Sequence, residues 1–137
     1  MSKRVLVVDD HAPTRVLIRA VLEREKNEKI EIIEAANGTE CLKAFDESGP
    51  YDLILLDVDL PDIDGYTVCR GIRNVDKDVP IVYVTGKRDF KDYTEGRESG
   101  GDSYLVKPIS RAALRSLVAL FLSIKRKPGD GEDPPKQ

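Results

Sequence analysis

The chain has 137 residues, 40% of them hydrophobic and 34% charged, with a formal net charge of -3 at pH 7. That length suits one domain with a full core, and the composition is that of a folded soluble protein rather than a disordered one. The mild acidity supplies no general field for DNA, RNA or anionic lipid, so any contact with nucleic acid has to come from another domain or partner.

Met1-Ser2-Lys3-Arg4 is basic, but only Val5-Leu6-Val7-Val8 separates it from Asp9. A signal peptide needs a longer apolar core and a membrane span needs ~20 apolar residues, which points to a cytoplasmic protein without membrane contact. Short runs rich in Val, Ile and Leu predict strands over Arg4–Val8, Ile30–Glu34, Leu53–Leu56, Ile81–Val84 and Tyr104–Val106. They scarcely alternate with polar residues, as expected of parallel strands covered on both faces.

Helical spacing fills the gaps between these strands. Val16, Leu17, Ala20 and Val21 define a first face, and Leu42 with Phe45 a second. Val68, Ile72 and Val75 define a third, and Leu114, Leu117, Val118 and Phe121 the last. A further helix is expected at about Asp89–Ser99, but Asp92, Thr94 and Gly96 weaken it and only Phe90 and Tyr93 offer apolar contacts. Asn37-Gly38 and Pro50 read as turns, and Ser110 as the N-cap of the last helix. From Lys125 onward apolar content almost vanishes, so residues 126–137 read as a disordered tail or linker after a domain spanning 1–125. Cys41 and Cys69 lie far apart on different predicted helices and read as half-buried free thiols in a reducing compartment.

This βα alternation implies a parallel α/β sheet with right-handed crossovers and helices on both faces. Ligands of such sheets gather beyond the carboxyl ends of the strands. Asp9, Asp10, Asp57, Thr85 and Lys107 all stand there. Two carboxylates about 4 Å apart repel by roughly 4 kcal/mol at an effective dielectric of about 20, so such a cluster holds a cation, shares a proton or does chemistry. Asp57 is the candidate nucleophile, since a carboxylate can accept a phosphoryl group as an acyl phosphate. Asp9 and Asp10 are the natural cation ligands, and a few hard oxygens completed by water and phosphate suit Mg²⁺ better than Ca²⁺ or zinc. Thr85 offers a hydroxyl to a phosphoryl oxygen, and Lys107 a point charge. Pro108 raises the chance of a cis Lys107-Pro108 peptide, which would aim the Lys107 amine inward. His11, after the acidic pair, is read mainly as a loop residue.

Four pieces together resemble the receiver domain of two-component response regulators. They are Val7-Val8-Asp9-Asp10, Leu55 through Gly65, Val84-Thr85-Gly86 and Tyr104-Leu105-Val106-Lys107-Pro108. The resemblance covers about residues 3–125. It implies a flavodoxin-like (βα)5 doubly wound fold with a five-stranded parallel sheet in the order 2-1-3-4-5. It also implies phosphorylation of Asp57 by a histidine kinase or phosphotransfer protein, with Asp10 and Asp57 binding Mg²⁺ directly. Asp9 would act through water, and Asp59 through its backbone carbonyl. Thr85 and Lys107 would contact the phosphoryl group, and Tyr104 would turn inward as the switch. The face of the fourth helix, fifth strand and fifth helix would then engage a downstream effector or a second copy of the chain. Such a domain is no enzyme beyond its own phosphotransfer and dephosphorylation.

The chain departs from the common pattern of that family at Asp59, at Gly86 with Lys87, and at Gly101. Asp59 and Lys87 are expected to face each other across the site mouth, setting phosphoryl lifetime. Two other readings stay open. Asp57-Val58-Asp59 matches the spacing of haloacid-dehalogenase phosphatases, although their motif order is reversed here and no cap domain is encoded. The chain would alternatively be a receiver-shaped interaction module that is never phosphorylated. No effector domain follows within these residues, which fits a stand-alone regulator or a piece of a longer one.

Overall fold

In the computed structural model, which describes residues 2–87 and 90–124 (Phe90 by its backbone only), strands and helices alternate five times. The elements are β1 Ser2–Val8, α1 Ala12–Glu23, β2 Lys29–Ala35, α2 Gly38–Ser48, β3 Leu53–Leu56, α3 Gly65–Arg73, β4 Ile81–Thr85, α4 Phe90–Glu98, β5 Ser103–Val106 and α5 Arg111–Ser123. All ladders are parallel, in the order β2-β1-β3-β4-β5, as expected. The segment from Lys125, read as a tail or linker, lies outside the described residues, as do the expected helix start at Asp89 and the Phe90 side chain.

Alternation along the central strands divides the core. Leu6, Val8, Ile54, Leu56, Ile81 and Tyr83 point to the face covered by Cys41 of α2 and by Val68, Cys69 and Ile72 of α3. Val5, Val7, Leu53, Leu55, Val82 and Val84 point to the face covered by Ile18 and Leu22 of α1 and by Leu114 and Val118 of α5. Each such side chain taken fully out of water contributes about 1.5–3 kcal/mol, which explains why the central strands tolerate no polar alternation.

Local signals set the helix starts. Ser110 accepts from Ala113 N at 3.2 Å, as its N-cap role requires. Asn37, read as a turn residue, is an N-cap too, with Oδ1 accepting from Glu40 N at 2.8 Å. Two expected core positions are on the surface instead. Val16 is 67% exposed, because the stripe of α1 runs through Ile18, Val21 and Leu22. Ile18 and Val16 are two residues apart, hence about 200° around the helix. Val75 is 72% exposed because α3 ends at Arg73, leaving it on the turn toward β4. Cys41 and Cys69 are fully buried rather than half-buried, and burial pushes the Cys41 thiol up to about 12.

The fourth helix forms where the pattern placed it and is thinly packed, as read. Among its described side-chain positions only Gly96 is buried.

Candidate functional site

β1 and β3 are neighbours, yet their helices depart toward opposite edges of the sheet, which opens a crevice at their carboxyl ends. Asp57 N donates to Val8 O at 3.0 Å and Asp9 N to Ala35 O at 3.1 Å, so both aspartates hang on the last rungs of the ladder. Asp9, Asp10 and Asp57 each present a carboxylate oxygen, and these oxygens lie within 4.8 Å of one another. Asp9 and Asp57 are buried, whereas Asp10 is exposed.

Lys107 reaches this cluster from the end of β5. Its Nζ stands 2.8 Å from Asp9 Oδ2 and 3.1 Å from Asp57 Oδ2. The Lys107-Pro108 peptide that follows is cis. Burial alone would lower the Lys107 pKa, but hydrogen bonding to Asp9 and the charges of Asp57 and Asp9 raise it above its usual value. Asp57 moves the other way in charge preference. Burial and then the Asp9 charge raise its pKa, with Lys107 and Thr85 opposing. A buried carboxylate with a raised pKa, held between a like charge and a cation, is a common mark of a functional site.

Thr85 ends β4 fully buried, and its Oγ1 makes no hydrogen bond, although it lies close enough to Asp57 to favour the ionised carboxylate. An unsatisfied buried hydroxyl costs about 1–3 kcal/mol, so an acceptor brought to it there is favoured. The donor set fits a hard divalent cation: three carboxylates in mutual reach, at a pocket already organised around a positive charge.

The remaining residues are also placed. Asp59 N donates to Asp57 Oδ1 at 3.2 Å, while its side chain stays outside the carboxylate cluster. That side chain is 70% exposed and pairs with Lys87 at 3.6 Å, as expected. His11 is the N-cap position of α1; its backbone N donates to Asp9 Oδ1 at 2.9 Å and its ring meets Thr14 at 2.8 Å. Tyr104 is half-buried in β5, edge-on to Tyr93 of α4 at 4.7 Å and 3.1 Å from the Tyr66 hydroxyl.

Two supports escaped sequence reasoning. Arg15 donates from Nη1 to the Asp9 carbonyl and from Nε to Glu34 Oε1 at 2.9 Å, bracing the loop that carries the acidic pair. The opposite charge of Glu34 at the end of a strand next to β1 was the available signal. Asp62 accepts from Gly38 N, Thr39 N and Thr39 Oγ1, tying the β3–α3 loop to the start of α2. Hydrogen bonding from Thr39 holds its carboxyl well below the usual range. Such a long-range clip leaves no local trace in sequence.

Fold and site together define a lysine-bridged acidic pocket at the switch point of a doubly wound sheet. The family model of the response regulator receiver domain matches residues 5–119, and the chain belongs to that family. It is 46% identical over 107 residues to the transcriptional regulatory protein ResD of Bacillus subtilis, covering 78% of this chain and 42% of ResD. The chain thus spans about half the length of the curated relatives it matches. A two-component response regulator from Clostridium difficile superposes with a TM-score of 0.80 at 34% identity, over 88% of this chain and 95% of that one. A putative response regulator from Chloroflexus aurantiacus gives 0.82 at 32%, over 90% and 100%. These likenesses lend no support to the phosphatase reading. No helix among the described residues is long and apolar enough to cross a membrane.

Proposed function

We propose that this chain accepts a phosphoryl group on Asp57 from a phosphohistidine of a histidine kinase or phosphotransfer protein. The observation that carries the reading is the buried Asp57 carboxylate, bonded to Lys107 and crowded by Asp9 at the switch point of the sheet. An Asp57 oxygen attacks phosphorus, the P–N bond breaks, and the imidazole leaves and takes up a proton. Lys107 stands ready to follow the new charge, and the Thr85 hydroxyl finds its missing acceptor on a phosphoryl oxygen. Asp10, Asp57, Asp9 through water and the Asp59 carbonyl would hold Mg²⁺, which neutralises charge on the phosphoryl oxygens when bound.

Phosphorylation adds about -1.5 to -2 charges at one point of the rim. Thr85 and Lys107 are drawn toward it, Tyr104 turns into the space beside Thr85, and the thinly packed α4 shifts most readily. The face of α4, β5 and α5 is then the surface for an effector or for a second copy of the chain. A small acyl phosphate with Mg²⁺ is expected to label the chain once per molecule, and Asp57→Asn to abolish labelling. Catalytic turnover of phosphate monoesters, or no labelling at all, would overturn the proposal.

A further inference from the structure

Three tyrosines, Tyr66, Tyr83 and Tyr104, meet beneath α4, and Tyr93 of α4 itself packs edge-on against Tyr104. Tyr66 packs edge-on against Tyr83 with ring centroids 5.3 Å apart, and Tyr104 lies 5.6 Å from Tyr83. The Tyr66 hydroxyl donates to the Asp92 carbonyl of α4 at 3.0 Å. A phenol has one proton to give, so in the 3.1 Å contact between the two hydroxyls Tyr104 is the donor. The result is a directed chain from Tyr104 through Tyr66 to the backbone of α4. Bonds in such a chain polarise and strengthen one another.

Tyr66 is also tied to the phosphoacceptor. It is the second residue of α3, and the first, Gly65, donates N–H to Val58 O at 2.8 Å. A Cβ at Gly65 would lie 2.7 Å from Val58 Cα and run into the Asp57 carbonyl, so the start of α3 rests directly on the backbone that carries Asp57. The C-terminal end of α4 and the turn that follows it are fastened by other side chains. Tyr83 donates to Gly96 O at 3.1 Å, Arg70 to Ser99 Oγ at 2.7 Å, and Arg73 to Gly100 O at 2.8 Å. The first turns of α4 are the part that the Tyr66 hydroxyl touches.

We propose that Tyr66 is a positioning residue that couples the backbone beside Asp57 to the first turns of α4 through its hydroxyl, acting as one unit with Tyr104. This rests on the phosphoacceptor reading of the site. Both ends bias the same marginal element, which is the physical requirement for coupling.

The test is amide hydrogen exchange across α4 of the full chain, with and without saturating Mg²⁺ and beryllofluoride. It compares the parent with Tyr66→Phe, Tyr104→Phe and the double variant. Tyr66→Phe keeps the ring on Tyr83 and removes only the hydroxyl. In the parent, beryllofluoride is expected to change α4 exchange. In Tyr66→Phe that change should shrink about two- to tenfold, the factor one net hydrogen bond carries. The double variant should then be no worse than the stronger single one. An unaltered response in Tyr66→Phe, or independent effects that simply multiply, would overturn the proposal alone. A parent that does not respond to beryllofluoride at all would overturn the phosphoacceptor reading and this inference with it.

Discussion

Replacing Lys107 with Met isolates what its charge contributes. At 2.8 and 3.1 Å from Asp9 and Asp57, the ammonium attracts each carboxylate by about 5–6 kcal/mol at an effective dielectric of about 20. The carboxylates, within 4.8 Å of each other, repel by at least about 3.5 kcal/mol on the same scale. Desolvation of the three groups consumes much of the attraction in the parent. Removing Lys107 leaves the repulsion unopposed until the chain unfolds. Breaking a buried pair costs about 3–5 kcal/mol, and the 25% exposure of Lys107 argues for the lower end, about 3 kcal/mol. For a domain of this size that is a fall in Tm of roughly 10 °C.

The pH dependence has a definite sign. The folded-state pKa of Asp57 lies above its ordinary 3.8, so the fold binds this proton more readily than the unfolded chain. Stability therefore falls as pH rises from about 4 through the folded value. Without Lys107 that window extends upward. The deficit of Lys107→Met should be largest at neutral pH in chelator and should narrow toward pH 4. It should also shrink when Mg²⁺ restores positive charge, so this variant gains more Tm from Mg²⁺ than the parent does. Thermal melts of both proteins across pH, with EDTA or Mg²⁺, measure all three effects. A deficit constant from pH 8 to pH 4.5 and indifferent to Mg²⁺ would refute the reasoning.

The Asp59–Lys87 pair is exposed and worth only about 0–1 kcal/mol to stability, so Asp59→Asn should leave Tm unchanged within a few degrees. It should change the lifetime of phosphoryl-Asp57, because the lost charge stands beside the site mouth; equal lifetimes in parent and variant would sink the idea. Gly101→Ala should destabilise by about 1–3 kcal/mol through overpacking, since a Cβ there runs into the Tyr83 ring. The same change in a Tyr83→Val background should cost far less, and equal costs in the two backgrounds would show that Tyr83 is not the obstacle.

The sheet was legible because its central strands are buried on both faces, so Leu53-Ile54-Leu55-Leu56 can be nothing but apolar. The site was legible for a related reason. A charge at the end of such a strand has no packing role, so Asp9 and Asp57 declare themselves by position, whereas Lys107 follows the half-buried edge strand β5 and stands out only through the motif around it. Surface-facing helices encode less. The α1 stripe was misplaced because Val16 and Leu17 are apolar beside Ile18, and composition cannot say which side meets the sheet. Side chains that act across the fold, such as Arg15 on the Asp9 carbonyl and Asp62 on the start of α2, leave no spacing in the chain at all.

The glycines near α4 join these two levels. Gly101 looked like an isolated departure from the family pattern, yet a large side chain at Tyr83 requires it. Tyr83 fills the floor under α4, and any Cβ at Gly101 or Gly96 meets its ring. The helix thereby trades apolar side-chain contacts for hydroxyl contacts, Tyr83 to Gly96 O and Tyr66 to Asp92 O. A net hydrogen bond is worth about 0.5–1.5 kcal/mol, whereas a buried Leu or Phe contributes about 1.5–3. Each hydroxyl contact is also directional, so a rotation of Tyr83 or Tyr66 breaks it outright. A helix held this way is weakly anchored, so under the proposed phosphorylation of Asp57 the added charge would have correspondingly less to overcome in moving it.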